Sequence, residues 1–223
     1  MSEIDKLREL FKKQALLDQA LTHKSWVNEH PGERGSNERL EFFGDAVLEF
    51  LISKEIFKRF PDEEEGYLTS LRANLVNTQN LANLAKKLDV GKEIFLSKGE
   101  EEGGGRENES LLADTIEAII GALFMDSGID AAEDFIEANL LPEIEEKVKE
   151  PLKDAKSRLQ ETVQSKGLPA PKYQVVQESG PDHSKDFVVE VSVNGKIIGR
   201  GEGKSKAVAE QEAAQKALES HYL

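Results

Sequence analysis

The sequence predicts two unlike parts. One is an all-α N-terminal domain over residues 1–148. The other, after a linker at 149–153, is a small α+β (α-β-β-β-α) domain over 154–223. Three observations carry this division. Apolar residues recur at helical spacing through nearly all of the first 148 positions. The pattern then changes to strict alternation at Phe187, Val189, Val191 and Val193, the signature of a half-buried strand. Between them, the charged stretch from Pro142 to Asp154, with a second proline at 151, marks a helix end and a linker.

In the first part, segments of helical period run near 3–13, 15–27, 37–60, 68–88, 109–126 and 129–148. Breaks fall at Pro31-Gly32, Pro61, Gly91 and the run 103–105 of three glycines, which reads as a mobile loop. Asn108 and Ser110 offer caps for the helix that follows. In the second part a helix over 154–166 ends at Gly167, and strands are expected at 172–178, 186–193 and 196–200. Asn194-Gly195 is a strong hairpin turn between the last two strands. An alanine-rich helix from 204 to 220 closes the domain.

The absence of cysteine excludes disulfides and thiolate metal ligation. No apolar run reaches the roughly 20 residues that span a bilayer. The charged amphipathic N-terminus does not read as a secretory signal. A cytoplasmic protein is expected. The net charge of −14 argues at first against a polyanionic partner. It is unevenly spread: residues 153–223 hold 11 Lys and Arg against 10 Asp and Glu, and residues 1–152 hold 18 against 33. The second part is therefore the better candidate to grip nucleic acid.

The most informative stretch is Asn37-Glu-Arg-Leu-Glu-Phe-Phe-Gly-Asp-Ala-Val-Leu48. Glu38, Glu41 and Asp45 are spaced by three and then four residues, which stacks them on one stripe of a helix. Leu40, Phe43, Val47, Leu48 and Leu51 form the apolar face. Glu49 extends the acidic stripe by one turn and reads as solvated or as supporting the other acids. Asp114 and Glu117 share a face of a second helix whose core stripe is Leu112, Ile116, Ile119, Ile120 and Leu123. Ala118 and Gly121 beside them are small enough to admit a neighbouring helix. Like charges so stacked repel unless a cation neutralises them, and magnesium takes such carboxylate oxygens. With 43 acids in 223 residues, however, Asp114 and Glu117 taken alone are better described as an ordinary solvated face. Phe42 lies beside the stripe and away from the core, so it is either exposed or covered by a partner chain.

Asn37 to Ala46 closely resembles the signature of bacterial ribonuclease III. The resemblance continues through Ala20-Leu-Thr-His-Lys-Ser25, Glu65-Gly-Tyr-Leu-Thr69, Leu71-Arg-Ala-Asn-Leu-Val76 and Leu112 to Gly121, in order over essentially the whole chain. It implies an endoribonuclease that cleaves double-stranded RNA by magnesium-dependent hydrolysis, with manganese as a possible substitute. No other small-molecule cofactor is implied. The products would carry 5′-phosphate and 3′-hydroxyl ends with short 3′ overhangs, and the roles implied are in rRNA and mRNA processing. By motif position the metal ligands would be Glu41, Asp45, Asp114 and Glu117. The catalytic set would be Asp45 and Glu117 with Glu38 and Glu65, the last with one residue of play toward Glu64 and Glu63. Phe42 would insert into a pocket of the second subunit of a homodimer. His23 is expected to hydrogen-bond a helix end, and Trp26 to serve a core or an interface.

The second part, ending Gly201-Glu-Gly-Lys-Ser-Lys-Ala-Val-Ala, resembles a double-stranded-RNA-binding domain. That resemblance implies that Gln160, Glu161 and Gln164 meet 2′-hydroxyls and that His183 enters a minor groove. It implies that Lys204 and Lys206 grip phosphates. Ala207 departs from the pattern, which usually has a further basic residue there, so one phosphate contact is expected to be missing.

Overall fold

The computed structural model describes residues 2–144, 154–181 and 185–220. The expected linker at 149–153 lies outside the described residues. The chain divides into two compact units, Met1–Leu152 and Lys153–Leu223. The first is helical, and the second is a helix, three strands and a helix.

The helical unit is built on two long helices, α4 (Glu38–Arg59) and α9 (Glu109–Ser127), which pack against each other more extensively than any other pair. Helix α9 is apolar over most of its surface, with Leu112, Ile116, Ile119, Ile120 and Leu123 buried, as a helix in the centre of a domain must be, and Asp114 and Glu117 interrupt that surface on one face. Helix α4 is one-sided. Leu40, Val47, Leu48 and Leu51 are buried, and Phe43 packs edge-on against Phe124 at 5.0 Å. Smaller helices surround this pair: α1 (Glu3–Glu9), α2 (Gln14–Ala20), α3 (Lys24–Glu29), α5 (Glu65–Leu75), α6 (Thr78–Lys87), α7 (Val90–Glu93), α8 (Lys98–Glu102) and α10 (Ile129–Asn139).

The crossing of α4 and α9 is made backbone to backbone at Gly44 and Gly121. A methyl group added at Gly44 would stand 2.8 Å from the Gly121 nitrogen and collide with the Glu117 carbonyl. One added at Gly121 would collide with the Leu40 carbonyl and lie 3.1 Å from the Gly44 nitrogen. Glycine in mid-helix costs about 1 kcal/mol in propensity. Here that loss is what allows the apolar faces to meet at close range.

Three expected helices are interrupted, each by a competing interaction. The segment 15–27 breaks at Leu21–His23, where the chain leaves the helix to pair with Phe95. The Phe95 amide donates to the Leu21 carbonyl at 2.8 Å, and the His23 amide donates to the Phe95 carbonyl at 3.1 Å. The segment 68–88 breaks at Val76–Asn77, because the Asn77 side chain accepts from the Asn80 amide at 2.9 Å and starts a new helix. Helix α10 stops at Asn139, and a 3₁₀ turn with Pro142 follows. The run of three glycines is a fixed turn, not a free loop. Gly105 is buried, and the Arg106 guanidinium donates to the carbonyls of Gly91, Lys92 and Ile94 at 3.0, 2.9 and 3.0 Å.

In the second unit, α11 (Ala155–Ser165) and α12 (Lys206–Glu219) pack with an antiparallel sheet of order β1 (Lys172–Ser179), β2 (Asp186–Val193), β3 (Lys196–Gly203). Tyr173 pairs with Val191 and Val175 with Val189, so alternate side chains fall into the core with Leu159, Val163 and Ile198. Asn194 and Gly195 take φ of 50° and 78° in the hairpin turn. Strand β3 runs three residues beyond expectation, to Gly203. Gly199, Gly201 and Gly203 alternate on one face, where α12 sets Ala209, Ala213 and Ala217 almost on the strand backbone.

Gly121→Ala is expected to destabilise the helical unit by about 2 kcal/mol, through overpacking of a crossing that has no room to give. A lower urea midpoint at unchanged slope is the readout. A variant as stable as the wild type would mean that the helices separate freely at this point.

Candidate metal centre and nucleic-acid interface

Helix α4 follows Asn37, which is buried and whose amide donates to the Thr22 carbonyl at 2.8 Å. Helix α9 starts at the cap Asn108, whose side chain accepts from the Leu111 amide at 3.2 Å. With both starts fixed and the glycines in contact, the acidic stripes face each other. Glu41, Asp114 and Glu117 each offer a carboxylate oxygen, all within 4.8 Å of one another. Asp45, one turn along α4, is exposed, and its charge acts on both Glu117 and Glu41.

The electrostatics show how crowded this cluster is. Burial pushes the Glu117 carboxyl up to about 8, with the charges of Asp45, Asp114 and Glu41 adding to it. Burial likewise raises Glu41, reinforced by Asp114 and Glu38 and opposed by Lys24. Asp114 is raised by burial, with His23 and Lys24 opposing. Desolvation and like charge both disfavour ionisation here, and a bound cation would reverse both. The donors are all carboxylate oxygens, which suits a hard divalent ion.

The acids at the ends of the stripe are placed differently. Glu38 is exposed; the Lys24 ammonium lies 3.3 Å away and the Ser36 hydroxyl donates to it at 3.1 Å. Glu38 lines a polar pocket with His23, Lys24, Asn37, Glu41 and Asp114, which puts it at the rim of the cluster. Glu49 is ion-paired to Arg72 at 2.9 Å, and Arg72 also donates to Ser53 at 2.9 Å. Sequence reasoning missed both cationic partners, since neither is at helical spacing from its acid. Glu65 stands apart at the start of α5. It accepts from the Thr69 hydroxyl at 2.9 Å and lines a separate pocket with Ser53, Phe57, Leu68 and Arg72.

His23 caps α3, its Nδ1 accepting from the Ser25 amide at 3.3 Å. Trp26 stacks on His30 at 4.1 Å and lies edge-on to Phe95, under the Arg34 guanidinium. Phe42 is 81% exposed and borders an apolar pocket containing Leu16, Leu40, Phe43 and Met125. Two further exposed aromatics of α4 were missed in the sequence: Phe50 and Phe57, 56% and 71% exposed. Phe50 and Phe57 are seven residues apart and so nearly aligned, about 60–80° round the helix from Phe42, which was the available signal.

In the second unit, Gln160, Glu161 and Gln164 are exposed along α11. Lys204 and Lys206 are exposed at the start of α12, whose cap is Ser205 accepting from the Val208 amide at 3.3 Å. Ala207 is exposed beside them. His183 lies outside the described residues.

Residues 13–144 match the model of a Ribonuclease-III-like family, and residues 155–221 match that of the double-stranded RNA binding motif. Ribonuclease 3 of Streptococcus gordonii is 46% identical over 216 residues, covering 96% of this chain and 93% of that protein. Ribonuclease 3 of Geobacillus sp. is 49% identical over 212 residues, with 94% and 85% covered. A crystal structure of the nuclease domain of ribonuclease III from Campylobacter jejuni is 39% identical with a TM-score of 0.56, covering 68% of this chain and 99% of that one. A second structure of that domain concerns flexibility in a region involved in its dimer formation. It is 40% identical with a TM-score of 0.57 and covers 62% and 96%. With the acidic helix crossing, both family models and relatives matched along nearly their full length, this chain belongs to the ribonuclease III family of double-strand-specific endoribonucleases.

Proposed function

We propose that Glu41, Asp45, Asp114 and Glu117 hold magnesium, with manganese able to substitute, and that this centre hydrolyses phosphodiesters of duplex RNA. The observation that carries the reading is the carboxylate cluster across the Gly44–Gly121 crossing. Neither its three acids nor Asp45 beside them has an ion-pair partner among the described residues, whereas Glu38 and Glu49 on either side do. When bound, the metal supplies Lewis-acid chemistry, activating water and neutralising charge on the leaving oxygen. The chain's own part is to fix oxygen donors on two rigid helices and to keep Glu117 largely out of water. Glu38, at the rim, and Glu65, on the separate pocket, are assigned to contacts around the scissile strand.

The domain division follows the same reading: a nuclease domain over 1–148, a linker at 149–153 and an RNA-binding domain over 154–223. Gln160, Glu161 and Gln164 supply polar groups for 2′-hydroxyls, and Lys204 and Lys206 supply positive charge for phosphates, with His183 in the minor groove. The exposed aromatics Phe42, Phe50 and Phe57 of α4 support a homodimer, because several large exposed aromatics on one helix often mark an interaction surface. A two-fold dimer matches the two antiparallel strands of a duplex and accounts for short 3′ overhangs, while attack of water on phosphorus with the 3′ oxygen as leaving group gives the 5′-phosphate and 3′-hydroxyl ends. The cytoplasm, where rRNA and mRNA precursors are processed, is the compartment this reading gives.

Glu117→Gln should retain duplex-RNA binding and lose magnesium-dependent cleavage by at least about 100-fold, a charged donor being replaced by a weak neutral one. Gel-shift and cleavage assays on one generic duplex test both halves. Near-normal cleavage in saturating magnesium would remove Glu117 from the metal-binding set.

Proton linkage gives a test that needs no RNA. In the folded chain without metal, Glu117 keeps its proton up to about pH 8. An unfolded glutamate releases it near pH ~4.3. Between those values the folded state binds more protons, so stability falls as pH rises through the window. The melting temperature of metal-free protein should drop across it, and both magnesium and Glu117→Gln should flatten the drop. A melting temperature that climbs steadily over the same range would contradict the buried, crowded carboxylate.

Phe42→Ala should weaken the dimer by about 2 kcal/mol, the usual scale for truncating an aromatic anchor. Sedimentation velocity at low micromolar concentration reads the change. An undiminished dimer would return Phe42 to the ordinary surface.

A further inference from the structure

The two lysines at the start of α12 are engaged by acids of the same domain. The Lys204 ammonium lies 2.7 Å from the Asp186 carboxylate. The Lys206 ammonium lies 3.2 Å from the Glu178 carboxylate and sits over the Phe187 ring at 5.5 Å. All four charged residues are at the surface. The sheet register explains the arrangement. Glu178 pairs with Phe187, Ser179 with Asp186, and Phe187 with Gly203, so the end of β1, the start of β2 and the end of β3 coincide. That shared edge delivers two carboxylates to the place where the chain turns into α12.

We propose that Glu178 and Asp186 compete internally with RNA phosphate for Lys206 and Lys204, holding the affinity of this domain for duplex RNA below what its lysines allow. The inference rests on the reading of Lys204 and Lys206 as phosphate contacts. Exposed ion pairs are weak, so a phosphate displaces them, but the displacement reduces the binding constant by about two- to fivefold per pair. Each displaced carboxylate also stays next to the incoming phosphate, where like charge repels. With alanine at 207 and 11 basic against 10 acidic residues over 153–223, little surplus positive charge is left to mask the effect. The ligand class is any A-form duplex, because phosphates carry no sequence.

The test measures binding of a fluorescent RNA duplex to the full chain, without divalent metal, across a salt titration. Asp186→Asn and Glu178→Gln, both near-isosteric and at exposed positions, should each tighten binding about two- to fivefold. Each should also steepen the log–log salt slope by up to about 0.9, because no freed carboxylate then offsets the lysine beside the phosphate. The gain from Asp186→Asn should vanish when Lys204→Ala is also present. If Lys204→Ala weakens binding while neither acid variant tightens it, the competition is wrong and the phosphate contact stands. A gain from Asp186→Asn that persists undiminished beside Lys204→Ala would trace it to general repulsion and overturn the pairing. If Lys204→Ala and Lys206→Ala leave binding unchanged, the phosphate contact itself is wrong and the proposal falls with it.

Discussion

The contact of Gly44 with Gly121 governs the helical unit, because the distance between α4 and α9 is set by backbone atoms rather than by side chains. Two consequences follow from one geometric fact. The apolar faces of the helices close into a common core around Leu48, Ile52, Ile116 and Ile120. The same approach brings Glu41 of one helix within carboxylate range of Asp114 and Glu117 of the other. Burial and like charge make the second consequence unfavourable, and the raised Glu117 carboxyl expresses that cost. The core around the crossing stabilises the fold strongly enough to hold the acids where they would not gather unaided, a common relation between stability and function.

The acidic stripe of α4 is longer than the cluster, and charge pairing determines where it acts. Glu38, Glu41, Asp45 and Glu49 follow one another at helical spacing. Lys24 lies against the first and Arg72 against the last; of the two central acids, Glu41 meets Asp114 and Glu117 of α9, and Asp45 is exposed one turn along. Such exposed pairs contribute little to stability. Their effect is positional: they neutralise the ends of the stripe and leave its middle, at the crossing, as the place where the proposed cation would gain most.

The sequence made legible whatever depends on periodicity. The core faces of α4 and α9, the alternation of β2 and the Asn194-Gly195 turn are local patterns, and they stand as read. Interactions distant in sequence were illegible. Phe95 draws Leu21–His23 out of the helix from more than 70 positions away, and Arg106 fastens the glycine run to the carbonyls of α7 and Ile94. The site divides the same way. Spacing assigns acids to a face but gives no distance between faces, so Glu65 on its separate pocket and the pairing of Glu49 with Arg72 could not be read. Gly44 was the overlooked clue: a glycine in the middle of a long apolar helix costs stability unless something passes close by.

The uneven charge of the chain sets the physical terms on which it meets RNA. With 33 acids against 18 bases over residues 1–152, the helical unit repels a polyanion until cations occupy its carboxylates. The second unit is nearly neutral, and its exposed lysines sit beside acids. Neither unit therefore offers the strong positive field that would hold any nucleic acid indiscriminately. Under the proposed reading discrimination comes from shape, with the exposed side chains of Gln160, Glu161 and Gln164 offered to the 2′-hydroxyls of an A-form minor groove. A fit to A-form geometry and to 2′-hydroxyls is what separates duplex RNA from duplex DNA.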